Sequence, residues 1–152
     1  MSLENLIDEK EISVGKLIAI IAKGQATYLK HNLEGYGINP TQLYLLFEIS
    51  NQCDINQEEI SKRFNINKGS VARSLKKLED KGMVVRQIDE NNRRQNRIIL
   101  TELGNETLNR TKSILKDWED KVILDEGFID RELLVKVLKE IAIKTIELNQ
   151  ED

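Results

Sequence analysis

The sequence predicts a mainly α fold with a small β-hairpin (α+β), organised as one domain over residues 1–152. Three observations predict it. Apolar residues recur at helical spacing through most of the chain. Two short runs, 83–88 (MVVRQI) and 97–100 (RIIL), read instead as strands, and the loop between them, 89–96 (DENNRRQN), has no apolar residue. Just before the hairpin, two capped helical segments at 56–64 and 67–81 are joined only by Asn65-Ile66.

Residues 2–33 read as one long helix after a frayed start. Val14, Leu17, Ile18, Ile21 and Tyr28 form its stripe, and Gly24 is its weak point. The run 34–37 (EGYG) breaks it. Asn39 then caps a second helix, Pro40 suits the first helical position, and Gln42 is placed to close a capping box. Leu43, Leu46 and Phe47 make its inner face, and 51–55 is a loop. Asn56 and Glu59 form the next capping box, with Ile60 and Phe64 turned inward. Asn67 caps the following helix and Gly82 suits the left-handed position that closes it. Val71, Leu75 and Leu78 fall on one side of that helix, while Lys68, Ser70, Arg73, Ser74 and Lys77 fall on others. Helix, tight turn and polar-faced helix make a helix-turn-helix, and the hairpin after it makes a wing. Thr101 caps a helix running to about residue 124 through Leu103, Leu108, Ile114, Leu115, Val122 and Trp118, the last expected in the core. Asp130 caps the last helix, striped by Leu134, Val137, Leu138, Ile141, Thr145 and Leu148.

Composition bounds the function. One cysteine permits no intrachain disulfide, which fits a reducing, cytoplasmic setting. No apolar run reaches membrane-spanning length and no signal-peptide pattern opens the chain. Phosphate loop, nucleophile elbow and paired catalytic carboxylates are all missing, so no enzyme is expected. His31 is the only histidine and lies in no Cys/His/Asp cluster, so neither a metal nor another cofactor is expected. The net charge of −3 does not advertise a polyanion binder, but its distribution does. Residues 61–97 hold 11 of the 23 Lys+Arg and 4 of the 26 Asp+Glu, a local +7 against −10 elsewhere. A solvated helix face carries such charge too; the turn and the wing favour double-stranded DNA.

On that reading, helix 67–81 enters a major groove and the wing, 89–96, an adjacent minor groove. Arg93 and Arg94 are the sharpest pair: one enters the minor groove and the other clamps phosphate, unless both belong to a solvated loop. Arg73 and Lys77 lie one helical turn apart, although Arg73 has the alternative of bracing the helix against the wing or a carboxylate. Ser70 and Ser74 suit phosphates or base edges, and Ser61 and Lys62 suit backbone phosphate. The core spans about 39–101. Helices at about 5–33 and 102–149 flank it, and their apolar stripes suit a two-fold homodimer that sets two recognition helices about 34 Å apart. A winged-helix module that binds protein rather than DNA is the alternative.

The chain resembles the MarR family (multiple-antibiotic-resistance regulators) over nearly its whole length. Asn39-Pro40-Thr41-Gln42-Leu43 with Leu45-Leu46 resembles the entry to the family's second helix. Residues 57–64 and Asn67-Lys68-Gly69-Ser70-Val71-Ala72-Arg73 resemble its helix-turn-helix. Leu78-Glu79-Asp80-Lys81-Gly82-Met83-Val84 resembles its exit into the wing, and 89–94 with Leu100-Thr101 and Gly104 resembles its wing signature. The resemblance implies a homodimeric, ligand-responsive regulator, usually a repressor, on a pseudopalindromic operator. It implies DNA contacts at Lys68, Gly69, Ser70, Arg73, Ser74, Lys77, Arg93 and Arg94. It also implies a small anionic or phenolic effector in the cleft between arms and DNA-binding lobe, with Tyr28, His31 and Tyr44 as candidates; packing at a helix junction is the other reading of each. The family's wing aspartate is Asn92 here, which leaves Asp89 as its substitute. Gly69 and Ala72 stand where hydroxyl residues are common; Gly69 costs ~1 kcal/mol of helix propensity but lets backbone approach phosphate. Cys53 lies outside the first helix, where redox-sensing relatives keep their thiol, and is expected to be inert.

Overall fold

The computed structural model describes residues 3–52, 55–64, 67–88, 90–91, 96–124, 127 and 129–150. The chain runs α1 (Leu3–Asp8), α2 (Val14–Leu33), a 3-10 turn (Glu34–Tyr36), α3 (Pro40–Asn51), α4 (Gln57–Phe64), α5 (Lys68–Asp80), β1 (Val84–Ile88), β2 (Asn96–Leu100), α6 (Glu102–Val122) and α7 (Arg131–Leu148). The strands form one antiparallel hairpin, with Val84 opposite Leu100 and Ile88 opposite Asn96. No helix among the described residues is long and apolar enough to cross a membrane.

The caps fix most of these boundaries. Asn39 Oδ1 accepts from the Gln42 N–H at 2.8 Å while Gln42 Oε1 accepts from the Asn39 N–H at 3.0 Å. This reciprocal box lets Gln42 be buried beside Leu43, because its polar end is satisfied. Asn56 and Glu59 repeat the device at 2.9 and 3.1 Å. At the other end of α5, Gly82 has φ 73°. Its N–H donates to the Glu79 carbonyl and the Met83 N–H to the Leu78 carbonyl, both at 2.9 Å, which completes a Schellman motif.

The first helix differs from its expected form. It is two helices, α1 and α2, and the break lies at residues 9–13 rather than at Gly24, through which α2 runs uninterrupted. Ser13 is extended and its Oγ accepts from the Lys16 N–H at 3.2 Å, a cap that starts a new helix. Glu9 holds Lys16 Nζ at 2.8 Å and fixes the turn between them.

The core gathers Leu29 and Leu33 of α2, Leu43, Leu45, Leu46 and Ile49 of α3, Ile60 of α4, Val71, Leu75 and Leu78 of α5, Val84, Ile98 and Leu108. Phe47 and Phe64 pack at its margin. Trp118 is half-buried and outside this cluster, not in the core as expected. Helix α3 lies at the centre, against α2, α5, α6 and β2. Helices α1 and α7 bury no residue, and α7 leaves Leu133, Val137, Leu138 and Ile141 exposed.

Candidate nucleic-acid interface

Helix α5 presents one face inward and one outward. Val71, Leu75 and Leu78 are buried, and that burial fixes the helix's rotation about its axis. Lys68, Arg73 and Lys77 are consequently exposed, and Gly69, Ser70 and Ser74 half-buried at the helix flank. Asn67 Oδ1 accepts from Gly69 N–H at 2.7 Å and Ser70 N–H at 3.3 Å, so the first turn is closed by its own cap. A β-carbon on Gly69 would sit 3.0 Å from Asn67 Oδ1 and 3.3 Å from Arg73 Nη1. Glycine there leaves room for the cap and for the arginine.

The charges sort into engaged and open groups. Arg63 pairs with Glu48 at 3.0 Å, Lys76 with Asp80 at 2.9 Å and Lys62 with Glu58 at 3.4 Å. Arg73 donates to Ser70 Oγ at 3.1 Å, not to a carboxylate. Among the described residues, Lys68, Arg73 and Lys77 have no carboxylate partner, so the outer face of α5 keeps its positive charge.

Beside α5 lies a polar groove of about 310 Å³ lined by Asn56, Gln57, Glu58, Ser61, Lys68, Arg86 and Asn96, so it carries one carboxylate beside two cations. It sits between the starts of α4 and α5 and the outer half of the hairpin strands. Ser61 is buried, and its hydroxyl donates to the Gln57 carbonyl at 3.0 Å. Arg86 and Gln57 are residues that sequence reasoning missed. A usable signal existed: alternation puts Arg86 on the same strand face as buried Val84, and an inward cation needs a partner. The loop before α4 joins the sheet too, through the Asn56–Arg97 bridge and the Ile98 N–H to Ile55 carbonyl bond at 2.9 Å. Arg93, Arg94, Asp89 and Asn92 lie outside the described residues, as does Cys53.

The three candidate effector residues stand apart from one another chemically. Tyr28 is half-buried at the core margin with Lys121 Nζ 5.9 Å above its ring. Tyr44 is also half-buried; its hydroxyl donates to Gln25 Oε1 at 3.2 Å, and desolvation raises its phenol pKa. His31 is exposed and lines a recess with Lys30, Glu34, Ile38 and Asn39, which neither tyrosine lines.

A capped helix pair followed by a hairpin, with an open cationic face on the second helix, defines a winged helix-turn-helix protein. The model of the MarR family matches residues 38–95. A MarR transcriptional regulator from Methanosarcina mazei Go1 is 33% identical and superposes with a TM-score of 0.78, covering 89% of this chain and 97% of that one. The chain belongs to the MarR family, whose members are transcriptional regulators rather than enzymes. An uncharacterised HTH-type transcriptional regulator of Bacillus subtilis (strain 168), YdgJ, is 31% identical over 102 residues, 67% of this chain and 62% of that protein, so the match spans less than two thirds of that relative. The same fold is found in a mutant MarR from E. coli complexed with operator DNA, at 23% identity and a TM-score of 0.76, covering 93% of this chain and 99% of that one.

Proposed function

We propose that this chain is a sequence-specific regulator that binds double-stranded DNA in the cytoplasm as a homodimer, on a pseudopalindromic operator and as a repressor. Helix α5 enters the major groove and the wing the minor groove. The observation that carries this reading is the outer face of α5, where Lys68, Arg73 and Lys77 stand around Ser70 and Ser74 without carboxylate partners among the described residues. Unpaired cations exchange condensed counterions for contacts with phosphate, while serine hydroxyls suit phosphates and base edges. A mutant E. coli MarR with the same fold is complexed with operator DNA, which supports DNA as the partner.

Dimerisation is supported by surface that a lone chain leaves wet. Leu133, Val137, Leu138 and Ile141 of α7, with Val14, Ile18 and Ile21 of α2, are large apolar residues exposed on the arms. A small anionic or phenolic effector, contacting Tyr28, His31 or Tyr44, would regulate the dimer only by preferring one spacing of the two recognition helices.

Selection of bound sequences from random duplex DNA tests the whole reading. A two-fold symmetric consensus with half-sites about ten base pairs apart is the expected result. A folded dimer that retains no duplex even in low salt would overturn it and leave a protein-binding winged helix.

A further inference from the structure

One side chain of the wing's first strand reaches both helices of the helix-turn-helix. Arg86, in the middle of β1, has a side chain only 27% exposed. Its Nε donates to Glu79 Oε2 at 3.2 Å, in the last turn of α5. Its Nη1 donates to Gln57 Oε1 at 2.8 Å, in the first turn of α4. A single guanidinium therefore joins both helices of the helix-turn-helix to the hairpin. The opposite strand is tied independently, by backbone bonding between β2 and the loop before α4.

We propose that Arg86 is a positioning residue that sets the angle of the wing to α5 through Glu79 and Gln57, and so lets both DNA-reading elements engage one duplex together. This inference rests on the DNA-binding reading above. A hairpin is a lever: each strand residue adds ~3.3 Å of reach, so a small rotation at its base becomes a displacement of ångströms at its far end. The guanidinium suits the task because its donors are fixed in a planar fork, and two of them point to different elements at once. Lysine carries three rotatable donors on one nitrogen at the end of a flexible stem, and so fixes the angle between two partners far less tightly.

A purely electrostatic role for Arg86 makes the opposite forecast at its partner. Glu79 is a carboxylate near the proposed path of a polyanion. If only charge mattered, Glu79→Gln would tighten DNA binding. If Glu79 anchors the brace, the same change weakens binding while the number of phosphates neutralised stays the same.

The test uses the full-length dimer with Glu79→Gln, Gln57→Ala and Arg86→Lys. Amide hydrogen exchange of the free protein is measured over β1 and β2, with the α3 amides as internal reference. Each variant is expected to speed hairpin exchange about fivefold, the scale of losing one ordinary net hydrogen bond, and to leave α3 unchanged. Each is also expected to bind the selected duplex about fivefold more weakly, with the salt slope of wild type. Unaltered hairpin exchange, unaltered affinity, or tighter binding by Glu79→Gln overturns the proposal. If wild type binds no duplex at all, the DNA-binding reading fails, and the exchange data still decide whether the brace exists.

Discussion

A β-carbon added at Gly104 would lie 2.0 Å from the carbonyl oxygen of Met83. The first turn of α6 thus rests directly on the backbone that leaves α5 for the wing. Thr101 secures the same joint: its hydroxyl donates to the Gly82 carbonyl at 2.5 Å and accepts from the Gly104 N–H at 3.1 Å, and its N–H donates to the Met83 carbonyl at 3.1 Å. The first turn of α6 therefore packs against the backbone link between α5 and β1.

Gly104→Ala therefore decides between two opposing effects. Helix propensity alone favours alanine by ~1 kcal/mol in a helical position. The clash is with backbone on both sides and cannot be relieved by a rotamer change, so overpacking costs about 3 kcal/mol or more. Net destabilisation of roughly 2 kcal/mol or more is expected in urea unfolding. An equally stable or more stable variant would show that the joint has slack.

The joint also shows what was legible in the sequence. Capping is chemistry between residues three apart, so Asn39, Asn56, Asn67, Thr101 and Asp130 could each be read in place, and each caps a helix or starts its first turn in the structure. The hairpin was legible because β-branched runs and a polar loop are local too. Contacts distant in sequence were not. Arg86 reaches Gln57 across 29 residues. Leu45 is buried because α3 has neighbours on more than one side, which a one-faced stripe does not anticipate. The break before α2 was missed although the apolar stripe begins only at Val14; the local signal that marked it was one serine cap at Ser13. The outer face of α5 was readable by subtraction once Val71, Leu75 and Leu78 were assigned inward.

Removing single cations from that face should change the salt dependence of binding as well as its strength. Lys77→Ala and Arg73→Ala are each expected to lower operator affinity roughly tenfold and reduce the log–log salt slope by about 0.9. Fluorescence anisotropy on a labelled selected duplex across a salt series measures both. Unchanged slopes would mean that neither cation sits on phosphate.

Tyr44 gives a pH dependence whose sign can be worked out. Burial raises its phenol pKa above the ordinary value of 10.0 in the folded state. Below that ordinary value both folded and unfolded chains keep the proton, and the tyrosine's contribution is fully present. As pH rises past it, the unfolded chain loses its proton first, so stability falls until the folded phenol ionises as well. Wild type should lose stability more steeply above about pH 10 than Tyr44→Phe, which cannot ionise. Urea midpoints of the two proteins between neutral and strongly alkaline pH give the comparison. Parallel curves would mean that water reaches the hydroxyl in the folded state.

Leu138 tests the arms without disturbing the core. It is 48% exposed, and α7 buries nothing within its own chain. A charge placed there should leave the winged core folded, because α7 contributes no residue to that core. If α7 covers its counterpart in a second copy, Leu138→Glu puts two like charges into an apolar seam, where burying even one unpaired carboxylate is strongly unfavourable. Sedimentation equilibrium is then expected to give a monomer with native-like circular dichroism. Loss of the paired half-site should weaken operator binding by about a hundredfold or more, because the second recognition helix no longer binds intramolecularly. A variant that remains dimeric would place the two-fold seam elsewhere on the molecule. One that becomes monomeric yet binds with undiminished affinity would mean that each chain reads its site alone.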